Sequence, residues 1–375
     1  MDTRTISAAV AEFSAKFCNE LDKSKNIVSS PLSAEFVLAL LTLGTTDPAH
    51  SELLTSLGIS GDDEIRSSFS TVLTKLKSIK GVTLNVANKV YINEGDYDLD
   101  AELKEDAINV FDAALEKLDF SKSAEATKLI NDWVESKTNG KIKDLLPPGC
   151  VNAGTCLVLL NAIYFKGSWK KKFNSNYTLD KPFFLDEETT VTIPMMCKED
   201  DYFYGRSDAL NAQLLKIPYE GDQTSMFIVL PNDITGLDAV MAKLASGHDL
   251  ISEMDKMHKT KVQVTLPKFK IETEIDLAQV LPKLGIKSIF NRYNSGITKI
   301  LNKSESLYVS KAIQKAFIEV NEEGAEAAAA TAMIGTITSM NWKPPVPTFV
   351  ADRPFLAAIV ADDTIYFTAS YRGYK

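Results

Sequence analysis

An α+β fold is predicted by three observations. Helical periodicity dominates the first third of the chain. From about residue 156 the texture changes to short apolar runs punctuated by proline and glycine. Near the C-terminus two such runs, FLAAIVA and TIYFTAS, are separated only by Asp362-Asp363, a hairpin signal. Helices first and mostly antiparallel strands later define that class, here without a composition shift that would mark a domain boundary.

Taken in order, residues 33–43 carry apolar side chains all round and predict a buried helix. Residues 67–79 and 101–114 are amphipathic at helical spacing, and 123–136 is rich in helix formers and stopped by Asn139-Gly140. CLVLLNAIYF at 156–165 is a continuous apolar run of strand length. LLKIPY, SMFIVLP, VQVTLPKFKI and AFIEV follow as further strands. Helical spacing returns at 236–246 and 276–284.

Bulk properties narrow the function. The chain has 375 residues, 45% apolar and 24% charged, which is ordinary globular composition with material for a large core. A net charge of −9 argues against nucleic-acid and anionic-membrane partners. The longest apolar runs fall far short of the roughly 18 residues needed to span a bilayer. MDTRTISAAVAEF has no basic-then-apolar leader, so the expected compartment is the cytoplasm if this N-terminus is native, and outside the cell if a leader has been removed. Two glycosylation triplets, at Asn176 and Asn302, matter only in the second case.

Catalytic chemistry is absent from the pattern. Four scattered cysteines, Cys18, Cys150, Cys156 and Cys197, form neither a disulfide framework nor a C-x-x-C pair. The three histidines, His50, His248 and His258, stand in no catalytic context. Nucleophile-elbow, phosphate-cradle and zinc-protease motifs are missing, so neither an enzyme nor a metal or cofactor is expected. Lys170-Lys171-Lys172 and Lys137, Lys141 and Lys143 are the best basic clusters: solvated surface charge, or less favourably a polyanion site such as one for a glycosaminoglycan.

The informative stretch is NEEGAEAAAATAMIGTITSM at 321–340. As a strand it would set Ala325, Ala327, Ala329, Thr331, Met333, Gly335 and Ile337 on one uncharged face. The only charge from Gly324 to Ser339, Glu326, falls on the other face with Ala328 and Ala330. No proline interrupts 324–343, and then Pro344, Pro345 and Pro347 arrive together. KAFIEV before it reads as a strand with Ala316, Ile318 and Val320 on one face, and Gly324 permits a reversal at its end. The bland alternative is a helix, since alanine is the best helix former.

The neighbourhood decides between them. Glu322-Glu323-Gly324-Ala325-Glu326-Ala327-Ala328-Ala329-Ala330-Thr331 resembles the hinge of a serpin reactive-centre loop. NIVSSPLS at 26–33, NAIYFKGSW at 161–169 followed by Phe173, LPKFKIETEIDL at 266–277 and DRPFLAAIV at 352–360 resemble further segments of that family, insect members most of all. The resemblance covers nearly the whole chain. It implies a single domain over 1–375 with three β-sheets, about nine helices and an exposed loop at 322–343 whose hinge is 322–331. It also implies a monomer whose partner is a target endopeptidase, trapped when the cut loop enters the main sheet. Trp169 would then sit where the loop first enters, and Asn161, Ser30, Ser33 and Gln314 would form the polar cluster under the strands that part.

Gln314 stands where many members have histidine, Ala325 where threonine or serine is usual, and Ala369 where glycine is common. Counting along the family's loop puts the cut at Thr338–Ser339, with Met340–Asn341 second and Ile337 the apolar residue a papain-like cysteine protease would read. Thr338 suits an elastase-like pocket and does not suit a trypsin-like one. A non-inhibitory carrier, chaperone or storage relative is the other expectation, and the clean hinge counts against it.

Overall fold

The computed structural model describes residues 3–303, 305, 307–324 and 345–374. In chain order the first elements are α1 (Thr3–Asn19), β1 (Ile27–Ser29), α2 (Pro31–Leu43), α3 (Ala49–Leu57), α4 (Asp62–Ser78) and β2 (Val82–Asn93). Next come α5 (Ala101–Asn109), β3 (Ala113–Leu118), α6 (Ser123–Lys137), β4 (Leu157–Gly167), β5 (Thr178–Phe184) and β6 (Thr190–Ser207). β7 (Ala212–Pro218), β8 (Thr224–Pro231), α7 (Leu237–Ala245), α8 (Leu250–Asp255), β9 (His258–Pro267) and β10 (Phe269–Asp276) follow. The last are α9 (Leu277–Val280), β11 (Val309–Val320), β12 (Thr348–Val350), β13 (Phe355–Ala361) and β14 (Thr364–Tyr371). The fold is α+β, with nine α-helices among the described residues. None of these helices is long and apolar enough to cross a membrane.

One sheet has five strands in the order β10-β11-β4-β2-β3. The other has nine, β1-β14-β13-β8-β7-β6-β9-β12 with β5 also on β6. The eighteen-residue β6 joins two lobes of this second sheet. Residues 203–207 of it pair with β7, while residues 190–196 pair with β5 and 195–204 with β9. Counted by lobes the sheets are three, and hydrogen-bond continuity through β6 makes two of them one.

α2 lies between the sheets, against β2 and β4 on one side and β14 on the other. That position explains its composition: all thirteen residues are buried. Ser30 caps it by accepting from the Ser33 N–H at 3.2 Å, and Pro31 follows at the first helical position, where a missing N–H costs nothing. The far face of the five-stranded sheet is covered by α6 through Ala126, Ile130 and Val134, packed with Val158, Leu160 and Phe317. A strand covered on both faces reads as a continuous apolar run, which is why LVLLNAIYF shows no alternation.

Tertiary context moved several predicted bounds. The helix expected over 101–114 stops at Asn109, because Ala113–Leu118 leaves to pair in parallel with β2. The helix expected over 276–284 ends at Val280 and tightens into a 3-10 turn over Leu281–Leu284, where Pro282 cannot continue the α pattern. VQVTLPKFKI is two strands in different sheets, divided at Lys268 after Pro267. The C-terminal hairpin forms as read, with Asp362 and Asp363 at φ 45° and 62° supplying the left-handed pair a two-residue turn needs.

α2 also carries a misfit. Glu35 is buried, and its Oε2 finds no hydrogen-bond partner. It lines a small apolar cavity of about 20 Å³ with Val10, Leu57 and Phe69, where the Ser68 hydroxyl is likewise buried and unpaired. Burial raises the carboxyl pKa well above its ordinary value, so the native protein keeps a proton that the unfolded chain loses near pH 4.5. Stability therefore falls as pH rises above the unfolded value, until the native group ionises in turn. Glu35→Leu is expected to raise stability by about 1–3 kcal/mol. The gain should be larger at pH 8 than at pH 5 in denaturant titrations. An equal or reversed effect at the two pH values would contradict the assignment.

Candidate functional site

The site is built at the junction of β4 and β11. These neighbours run parallel, while β10 on one side and β2 on the other are antiparallel to them. The ladder runs from Val309↔Leu157 to Phe317↔Tyr164 and stops there. Residues 318–320 and 165–167 continue past it without pairing to each other, so the seam is open at one end.

A row of polar side chains crosses the closed part in register. Gln314 stands opposite Asn161, and Asn161 opposite Asn88 on β2. Gln314 Nε2 donates to Asn161 Oδ1 at 2.6 Å and to the Ser30 carbonyl at 2.8 Å, and its Oε1 accepts from the Ser30 N–H at 3.0 Å. The Asn161 amide donates to Asn88 Oδ1 and to Ser33 Oγ. Ser30 Oγ donates to the Tyr366 carbonyl at 2.6 Å, tying the row to β14. All five side chains are at most 3% exposed, so each depends on the others for its polar partners. None of them ionises in the physiological range. The structure thus brings together the four predicted residues of this cluster and adds Asn88. The missed signal was a polar residue inside an unread strand, VTLNVANKVYIN.

Asn161→Ala is expected to cost about 1–3 kcal/mol, since it strands a Gln314 donor and the Asn88 acceptor in the core. Urea denaturation checks this, and a loss below 0.5 kcal/mol on the order of surface substitutions would contradict it.

At the open end, β11 finishes in a tight turn over residues 321–324. Asn321 and Gly324 exchange backbone hydrogen bonds, both 3.1 Å. Gly324 has φ 108°, and a Cβ there would lie 2.3 Å from the Gly167 carbonyl oxygen and 2.5 Å from the Trp169 nitrogen. Only glycine fits. Trp169 is fully buried and stacks on Tyr219 at 4.5 Å and 7°. Its indole N–H donates to the Asn321 carbonyl at 2.8 Å, and its backbone N–H to the Glu323 carbonyl at 2.9 Å. The Phe173 N–H donates to the Glu322 carbonyl at 2.9 Å.

Glu322 and Glu323 are both latched. Glu322 accepts from Thr178 Oγ1 at 2.7 Å and pairs with Lys268 at 2.8 Å. Burial pushes its carboxyl up, but the Lys268 and Thr178 bonds outweigh burial and hold it below the usual range. Glu323 pairs with Lys172 at 2.5 Å. The basic run is thereby committed: Lys170 pairs with Asp222 and Lys171 with Asp200. Lys143 pairs with Glu135, and Lys141 also has a partner.

Of the predicted loop residues, Glu322, Glu323 and Gly324 are thus at the site. Ala325, Glu326, Ala327, Ala328, Ala329, Ala330, Thr331, Ile337, Thr338, Ser339, Met340 and Asn341 lie outside the described residues. Sequence reasoning missed Tyr219, Lys268 and Thr178, whose only signals were their places at the ends of strands.

Fold and site together define an α+β protein of two sheets, with a parallel seam in one of them open at the end where the chain reverses. The family model described as serpin (serine protease inhibitor) matches residues 8–372. Antitrypsin of Bombyx mori is 44% identical over 96% of this chain and 92% of its own length. Antichymotrypsin-2 of the same organism is 44% identical over 96% of both. The crystal structure of Serpin48, described as a highly specific serpin of the insect Tenebrio molitor, superposes with a TM-score of 0.88 at 32% identity over all of both chains. The chain belongs to the serpin family. Antitrypsin and antichymotrypsin-2 are named as protease inhibitors, and the chain belongs to a family of inhibitors rather than of enzymes.

Proposed function

We propose that residues 1–375 form one serpin domain, monomeric, that traps a target endopeptidase as a covalent acyl-enzyme. In this reading 322–343 is the reactive-centre loop, and once cut it enters the seam between β4 and β11. The observation that carries the reading is the seam itself. A segment that left β11 by reversing at Gly324 would run antiparallel to both β11 and β4, which are parallel to each other. Its entry would replace one parallel pairing by two antiparallel ones, which are slightly more stable per residue. On the order of ten new backbone hydrogen bonds, at about 0.5–1.5 kcal/mol each, would favour the inserted state. The row Gln314–Asn161 is the bond that must part, and the open end beside Trp169 is where parting starts. Dragging the bound protease distorts an oxyanion hole and triad that need near-ångström placement, so deacylation stalls.

The cut falls at Thr338–Ser339, with Met340–Asn341 second. The target is an elastase-like serine protease through Thr338, or a papain-like cysteine protease through Ile337. Incubation with panels of both classes should give SDS-resistant adducts with at least one. If every protease merely nicks the loop, the protein is a non-inhibitory carrier, chaperone or storage relative. Thr338→Arg should speed adduct formation with trypsin-like enzymes by more than tenfold, roughly the 1.4 kcal/mol that a charge-matched pocket easily supplies. Indifference to that change would move the cut to another bond.

A further inference from the structure

A second cleft opens where the two lobes of the nine-stranded sheet part. β6 and β7 pair from Ser207↔Ala212 to Phe203↔Lys216, and then diverge. β6 goes on with β9, and β7 goes on with β8 as far as Pro218↔Ser225. The wedge between them is a cleft of about 240 Å³, bounded also by Lys170, Lys171 and the turn that leads into β8.

Its chemistry is uneven. Lys170 and Lys171 are neutralised by Asp222 and Asp200, at 2.5 Å and 2.6 Å. Lys216 and Lys259 also line the cleft, and no ion pair or hydrogen bond engages either ammonium among the described residues. They flank Phe203 in register, one from β7 and one from β9, on the same face of the sheet. Phe203 is 49% exposed, an aromatic left in water between two uncompensated cations. Ile217 and Pro218 supply further apolar wall. Tyr202 lines the cleft too, with its hydroxyl buried on the other face of β6. Against these cations stands one lining carboxylate without an ion pair, that of Asp201.

We propose that this cleft binds a small aromatic carboxylate or sulfonate. The ligand ring packs on Phe203 and Pro218, and its anionic group meets Lys216 and Lys259. Aromatic stacking and charge-assisted hydrogen bonds then act together on one ligand. The volume suits one or two fused rings.

The test uses the intact protein with naphthalene-2-sulfonate as probe, followed by calorimetry. Neutral 2-naphthalenemethanol and inorganic phosphate separate the two halves of the recognition. The sulfonate should bind at least tenfold more tightly than either. A Lys216→Ala and Lys259→Ala double variant should lose at least tenfold in affinity with an unchanged thermal midpoint. Lys259→Glu, at an exposed strand position, should abolish binding and serves if the double variant misfolds. Failure of the parent to bind at millimolar probe, equal binding of the neutral alcohol, or full affinity in the lysine variants would each overturn the site.

Discussion

Thr331→Arg is expected to convert the protein from inhibitor to substrate: cleavage continues, while the yield of SDS-resistant adduct falls at least tenfold. In an inserted strand Thr331 shares its face with Ala325, Ala327 and Ala329, and the seam it would enter is covered on both sides. α2 and its core lie under β4 on one face, and α6 closes the other with Ile130 and Val134. The polar groups nearest the seam are already engaged in the Gln314–Asn161–Asn88 row and include no carboxylate. An arginine placed there leaves a buried guanidinium unpaired, which costs several kcal/mol, comparable to the whole gain expected from insertion. Insertion then loses the race with deacylation. The ratio of adduct to nicked protein on denaturing gels measures the outcome. Undiminished trapping by this variant would mean that the segment does not enter the sheet. Thr331→Ser controls for loss of the methyl group, and should inhibit as the parent does.

Trp169→Ala should destabilise the native protein by about 3–5 kcal/mol, the range for emptying a large buried aromatic site. The indole is fully buried, stacked on Tyr219 and set edge-on to Phe173 at 6.1 Å. Truncation removes both ring contacts and the donor to the Asn321 carbonyl. The loss is concentrated where residues 321–324 are held, so the hinge should become easier to cleave by a non-target protease before global unfolding. Trp169→Phe separates the parts. It keeps most of the stack and drops the donor, and its cost should be about 1–3 kcal/mol. Urea denaturation followed through Trp133 and Trp342 provides the measurement. Equal costs for the two variants would show that the hydrogen bond, not the packing, carries the residue's contribution.

Family, fold class and the reversal at Gly324 were legible in the residues because each is a local pattern. The run LVLLNAIYF, the Asp362-Asp363 turn and the stop at Asn139-Gly140 express backbone rules that act within a few residues. Gly324 was readable for the same reason. β2 and β6 were not read, since their mixed polar composition gives no clean period: each faces different neighbours along its length. The helix over 101–114 was overextended because propensity continues past Asn109, while parallel pairing with β2 claims Ala113 onward.

What the sequence determined alone, then, is the set of local conformations, the chain reversal at Gly324 among them. Only the tertiary structure decided that Gln314, Asn161 and Asn88, successive members of the row 153 and 73 residues apart in the chain, stand side by side. It alone set Glu322 against Lys268, and left Lys216 and Lys259 unpaired around Phe203. The physical reason is that hydrogen bonds and ion pairs act over a few ångströms. Strand register between distant segments is what brings such groups within that range, and register is settled by how both faces of a sheet are buried.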